Sequence, residues 1–477
     1  AEERGHGGKY AVTLSRSIIE PFLTFSARRN LREEAFAAWI ARGENAGKTD
    51  NRDGVREIVA LRQKKAQLLG YDSFASFKLE NQMAKKPQAV IDLLETVWDK
   101  AKSKAADEEE ALVELISEEG HNHAVAPWDW RYFAEMLRTR KFDFNEAELK
   151  PYLALDNIIA AAFDVANRLF GITIKERADI TAYHDDVRVF EVLNRDGSHR
   201  AVFLGDYFAR SSKRSGAWMS GFQSQHDLPT KAGKGQSPII VNVMNFAKAP
   251  AGQMTLLSMD DARTLFHEFG HALHQMLSDV DYESISGTSV ARDFVELPSQ
   301  LYEHWLEVPE VLQNFATHVD TGAAMPADLL EKVLKAATFD MGFQTVEYIA
   351  SAMVDLEYHT TDVPADIMMR QAEILAGMGL PHAIGMRHAT PQFAHVFSGG
   401  HYASAYYSYM WSEVMDADAF AAFEEKGDAF DTELAQSLEA NILSTGGSQD
   451  PEVLYTAYRG RLPGVDALLK GRGLVAA

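Results

Sequence analysis

Residues 265–273 read L-F-H-E-F-G-H-A-L, an H-E-x-x-H motif set in an apolar run. His267 and His271 are four positions apart. On a helix, four steps of about 100° return to within roughly 40° of the start, so both imidazoles leave one face. Glu268 points about 100° away, beside the two rings. The geometry suits two nitrogens on Zn²⁺ and one carboxylate placed to take a proton from a water that the ion activates. Leu265, Phe266, Phe269, Ala272, Leu273 and Met276 make the helix apolar and turn the histidines inward, where a polar cluster needs partners. Gly270 costs about 1 kcal/mol against Ala in a helix, which suggests a packing or access reason. The plain alternative is an amphipathic helix carrying two histidines. With 16 His in 477 residues, a chance motif is expected on the order of a few per cent of the time.

Catalytic zinc takes three protein ligands and a water. The segment D-F-V-E-L-P-S-Q (293–300) offers Glu296, beyond the loop S-D-V-D-Y-E-S-I-S-G-T-S-V (278–290). That loop is long enough to turn and bring a second helix back. Asp293, Glu303 and His304 compete for the third position, and Asp293, Gln300 or Glu303 could instead orient the imidazoles by accepting from their outer nitrogens. Spacing does not choose among them. His-His-Glu sites also accept Co²⁺ or Mn²⁺.

The run T-L-F-H-E-F-G-H-A-L-H, followed by S-G-T-S-V-A-R-D-F-V-E-L-P-S-Q-L-Y-E-H-W, resembles the thimet oligopeptidase family of zinc metallopeptidases. Its wording is most similar to the bacterial peptidyl-dipeptidase (dipeptidyl carboxypeptidase) branch. Further matching segments lie at 18–33, 126–133, 206–219, 238–246 and 406–420, so the resemblance covers almost the whole chain. It implies one Zn²⁺ per chain on His267, His271 and Glu296, with Glu268 as general base. It implies a mainly α, zincin-type fold with a small β-sheet beside the H-E-x-x-H helix, and two helical lobes around a deep channel that admits short unstructured peptides. Members are longer, with a helical portion ahead of the A-E-E-R-G-H-G-G-K-Y opening seen here. The chain therefore reads as a processed product whose N-terminal segment is a possible partner.

The resemblance also implies tyrosines directed at the substrate. Tyr402, Tyr406 and Tyr409 are spaced four then three, which on a helix shares one face; on spacing alone such a stripe is more often core. Hydrolysis of a peptide builds an oxyanion, and a positioned phenol can stabilise it by on the order of 3 kcal/mol. Tyr402 and Tyr409 are assigned to that role and Tyr406 to substrate binding. Gly399 and Gly400 would let their loop approach a peptide or flex. His395 is a further catalytic candidate in H-V-F-S-G-G-H-Y-A-S-A-Y-Y (395–407), where the family pattern is altered by one inserted residue and by Ala405 in place of a glycine. Arg292 could meet a substrate carboxylate; a structural ion pair is the stronger reading from the residues. The strand-like P-I-I-V-N-V-M-N-F (238–246) is either an edge that holds extended peptide or an ordinary buried strand. His121, His123, His274 and His401 read as structural or surface residues.

Hydrophobic content of 46% and charged content of 24% are those of a globular protein. The net charge of −22 argues against a nucleic-acid partner and mildly favours cationic peptides. Zero Cys excludes a thiol nucleophile and disulfides; it is compatible with the cytoplasm and does not exclude the periplasm. No apolar run is long enough to span a membrane. The periodicity predicts a helical region over 1–180, a β-containing region over 181–250 and a helical catalytic region over 251–477. A hairpin turns at N-R-D-G (194–197), residues 231–237 read as a flexible loop, and the acidic run 105–111 reads as a solvated helix face. The function these readings support is zinc-dependent hydrolysis of short oligopeptides, releasing C-terminal dipeptides. An endo-acting oligopeptidase and a non-catalytic peptide-binding fragment are the alternatives.

Overall fold

A computed structural model describes residues 5–143, 146–214, 216–230 and 233–475. It is mainly helical, and its contacts divide it into two compact units. One unit comprises Ala1–Asp143, Ala336–Tyr407 and Leu469–Ala477; the other comprises Phe144–Lys335 and Ser408–Leu468. Each is assembled from separated stretches of chain, so the units cross the linear divisions at 180 and 250.

The first unit is all helical. Its long helix Pro87–Glu118 buries Val90, Leu94, Val97, Trp98, Ala101 and Ala105, a three-and-four spacing that lays one apolar stripe against the helix Met341–Thr360. Gly342 lets the two backbones meet, since a Cβ there would lie 2.5 Å from the amide nitrogen of Ala105. The acidic run is not wholly solvated. Glu108 turns inward and accepts from the amides of Gly342 and Phe343, so it caps the neighbouring helix.

The second unit holds the sheets. The strands are β1 (Thr173–Glu176), β2 (Arg188–Leu193), β3 (His199–Phe208), β4 (Trp218–Gln223), β5 (His226–Thr230), β6 (Gly233–Gln236) and β7 (Ile239–Phe246). Five form a mixed sheet in the order β1-β2-β3-β7-β4, with only β3 and β7 parallel. The predicted hairpin is present as β2–β3, closed at Gly197, whose φ of 82° suits glycine. Two expectations are corrected, and one open alternative is decided. β1 falls inside the region read as helical. The stretch read as a loop contains β6, which pairs with β5 in a two-stranded sheet. And β7 lies inside the main sheet, so the buried-strand reading holds and β4 forms that edge.

The H-E-x-x-H segment lies on the helix Met259–Met276. A capping box starts it: the Ser258 hydroxyl accepts from the amide of Asp261, and the Asp261 carboxylate accepts from the amide of Ser258. Arg200 on β3 closes its far end by donating to the carbonyls of Met276 and Ser278. Phe269, within the motif, packs on Phe203 of β3 and on Phe163 of the helix Leu155–Phe170, with ring centroids 5.4 Å apart in both pairs. Burial of this aromatic cluster holds the motif helix to the sheet.

Candidate metal centre

Glu296 follows the short helix Arg292–Val295 and opens the helix Leu297–Leu306. The latter crosses the motif helix at Gly270, where a Cβ would come within 2.6 Å of the Pro298 carbonyl oxygen and 2.7 Å of Ser299 Cα. The glycine is therefore there for packing, and the close crossing carries Glu296 to the histidines. One carboxylate oxygen, Oε2, lies 3.4 Å from His267 Nε2 and 3.1 Å from His271 Nε2. Among the described residues these three side chains form the single group able to hold a metal ion. Tetrahedral zinc, with ligand bonds of about 2.0–2.2 Å, spaces its donors about 3.3–3.5 Å apart, close to the separations found. The donor set fits the ion.

The surroundings hold these ligands in place. His267 Nδ1 faces Glu303 Oε1 at 2.7 Å, which fixes the ring so that Nε2 points at Glu296. Ser299 donates to both the backbone carbonyl and Oε2 of Glu296. Arg263 lies near the other oxygen of Glu303 and pairs with Glu307. Burial opposes charge on His267 and Glu296 alike. The hydrogen bonds that His267 donates to Glu296 and Glu303 nonetheless raise its pKa well above the ordinary value, and the two imidazoles hold Glu296 well below its own. The carboxylates that strengthen proton binding on His267 would strengthen cation binding too, since both compete for Nε2.

Glu268 is buried, and its Oε2 has no hydrogen-bond partner among the described residues. Burial, opposed by the nearby imidazoles, pushes its pKa up. A carboxylate left unsatisfied beside a metal group is suited to exchange protons with a reacting water.

Of the remaining predicted residues, the structure brings Tyr409 to this unit. It lies in the first turn of the helix Ser408–Lys426, and its carbonyl accepts from Gln300, whose own amide donates to the carbonyl of Glu296. Arg292 opens the short helix before Glu296. His395, Tyr402 and Tyr406 belong to the first unit, where the His395 ring lies 5.7 Å from Tyr402 and 5.4 Å from Tyr406. The inserted residue therefore leaves His395 and Tyr402 adjacent. The expected common helix face is corrected: residues 401–407 are bends and turns, with Ser404 at φ 55°, and the helix begins only at Ser408. A Cβ at Gly399 or Gly400 would meet nothing within 4 Å.

A sequence model of Peptidase family M3 matches residues 22–474. The chain belongs to peptidase family M3. Dipeptidyl carboxypeptidase of Salmonella typhimurium is 39% identical over 99% of this chain and 69% of its own length. Oligopeptidase A of Escherichia coli is 36% identical over 98% of this chain and 69% of its own length. Among solved structures, PZ peptidase A with an inhibitor aligns at a TM-score of 0.55 and 15% identity, covering 95% of this chain and 69% of that one. A Pyrococcus furiosus carboxypeptidase aligns at 0.51 and 14%, covering 96% and 81%. These two support the fold alone. Family M3 membership makes the chain a peptide-hydrolysing metalloenzyme, and it implies a divalent metal for which the His-His-Glu group is the fitting site. No helix among the described residues is long and apolar enough to cross a membrane.

Sequence reasoning left open which acidic residue orients His267. The signal was available, because Glu303 lies seven residues after Glu296, two helical turns along the same face. It did not find the His304–Asp416 pair, 2.9 Å apart, which links the Glu296 helix to the Tyr409 helix.

Proposed function

We propose that this M3 peptidase is a zinc enzyme that releases dipeptides from the C-termini of short, unstructured peptides. The observation that carries the reading is the meeting of His267, His271 and Glu296 beside the unsatisfied Oε2 of Glu268. Zinc at that group would supply Lewis acidity, bringing the pKa of a water to about 7. Glu268 takes the proton of the attacking water and passes it to the leaving nitrogen; its raised pKa suits a group that must both accept and return a proton. Tyr409, on a helix anchored to the Glu296 helix, and Tyr402 donate to the oxyanion, and His395 beside Tyr402 assists. Tyr406, Gly399 and Gly400 contact the peptide. β4 is an edge strand whose Gly221 lies near Gln275 of the motif helix, which supports binding of an extended peptide along it by main-chain hydrogen bonds. Arg292 is assigned to the substrate's terminal carboxylate.

The second reading is an endo-acting oligopeptidase; similarity to the oligopeptidase A relatives supports oligopeptidase activity in general. Mass spectrometry of digests of free and C-terminally amidated peptides separates the two. Release of dipeptides from the free peptide alone is expected. Equal cleavage of both at internal bonds would overturn the dipeptidase assignment.

A further inference from the structure

We propose that Arg62, His359 and Asp355 form a clamp that fixes the two ends of the Val396–Tyr406 loop, and so act as positioning residues for turnover; this rests on the reading that the loop delivers Tyr402 to the reaction. All the contacts lie within the first unit. Arg62, on the helix Arg52–Leu68, donates Nη2 to the carbonyls of Val396 and Gly399 at 2.7 and 2.8 Å. Its guanidinium lies 5.6 Å from the ring centroids of both Phe74 and Phe397. At the other end, the buried carboxylate of Asp355 accepts from the amides of Ser404, Ala405 and Tyr406 at 2.9, 3.0 and 3.1 Å. These three bonds fold the chain through the left-handed Ser404 and stop a helix from forming back to Tyr402. Tyr348 adds a fourth hold by donating to the Tyr406 carbonyl at 2.7 Å.

His359 joins the two ends. Its Nδ1 is 2.7 Å from the Asp355 carbonyl, which can only accept, and its Nε2 is 3.1 Å from Arg62 Nη1, which can only donate. The ring is therefore the neutral Nδ1–H tautomer, and the hydrogen bonds run in one direction from Arg62 through His359 to Asp355. In such a chain each bond polarises the next and so strengthens it. Between the anchored Gly399 and Ser404, Gly400 borders open space.

The test compares Arg62→Ala, Tyr402→Phe and the double variant in the full chain, with kcat, KM and bound metal measured together. Arg62→Ala is expected to lower kcat by about 10- to 100-fold, the effect of a small misplacement, with KM moved less than about 3-fold. Bound metal stays at the wild-type level, and amide exchange at Ser404–Tyr406 quickens. Because the clamp works through Tyr402, the double variant should be no slower than the slower single one. If Arg62→Ala fails to fold, Arg62→Lys keeps the charge without the planar fork and should show the same loss in smaller degree. Wild-type kcat in a folded Arg62 variant, or losses that multiply in the double variant, would overturn the clamp. Wild-type kcat in Tyr402→Phe would overturn the reading of the loop instead.

Discussion

Adding one methyl group at Gly270 probes how Glu296 reaches the histidines. In Gly270→Ala the new Cβ would meet the Pro298 carbonyl at 2.6 Å, Ser299 Cα at 2.7 Å and Tyr302 Cβ at 3.0 Å, two of them backbone atoms. Unstrained contacts need about 3.5 Å or more, so the crossing helices must open by about 0.8–1 Å. The displaced backbone carries Glu296, since Ser299 donates to both its carbonyl and its carboxylate. Metal sites tolerate shifts of only about 0.2 Å in ligand distance. The gain of about 1 kcal/mol in helix propensity is set against an overpacking cost of about 1–3 kcal/mol, so metal-free stability should fall by about 0–2 kcal/mol. Metal affinity should fall much further, by about 10-fold or more, the scale on which even outer partners of a ligand act. Competition for zinc with a chromophoric chelator measures the affinity, and urea unfolding of the metal-free protein measures the stability. Zinc affinity equal to wild type together with unchanged stability would refute the close crossing as the device that places Glu296.

Three further outcomes are expected. Glu268→Gln should retain zinc by metal analysis and lose about 10²- to 10⁴-fold in kcat; substantial residual turnover would remove it as the base. Glu303→Ala should weaken zinc binding by about 10- to 100-fold, because the 2.7 Å partner of His267 Nδ1 is gone, while Glu303→Gln, which keeps an acceptor, should lose less; chelator competition reads both. His274 is fully buried with both ring nitrogens unpartnered among the described residues, and burial depresses its pKa to about 3. Below its unfolded value of about 6.5 the unfolded chain takes up a proton that the folded one refuses, so stability present above that pH is lost as pH falls, by roughly 2 kcal/mol between pH 7 and 5. Urea unfolding of wild type and His274→Leu at those two pH values should show the variant less acid-sensitive by about that amount.

The parts of the site legible in the sequence are those that depend on local geometry. Helical phase alone brings His267 and His271 to one face and sets Glu268 apart, and Gly270 marks a close approach without naming what approaches. Glu296 lies across a turn whose path depends on that approach, so spacing left it among rivals until the family pattern was considered. Strand order is non-local: nothing within P-I-I-V-N-V-M-N-F reveals that β3 and β4 flank it. β6 hides in a glycine-rich stretch with no alternating apolar pattern, because ladder bonds to β5 define it. The tyrosine spacing misled because Asp355, about fifty residues upstream, supplies the acceptors that hold 404–406 out of a helix.

Anomalous diffraction at the zinc absorption edge, from crystals of the zinc-loaded chain, asks the central question most directly. One peak per chain is expected, bonded at about 2.0–2.2 Å to His267 Nε2, His271 Nε2 and a carboxylate oxygen of Glu296, with a position left for solvent. A peak elsewhere, or a coordination sphere that omits Glu296, would contradict the assignment of this site.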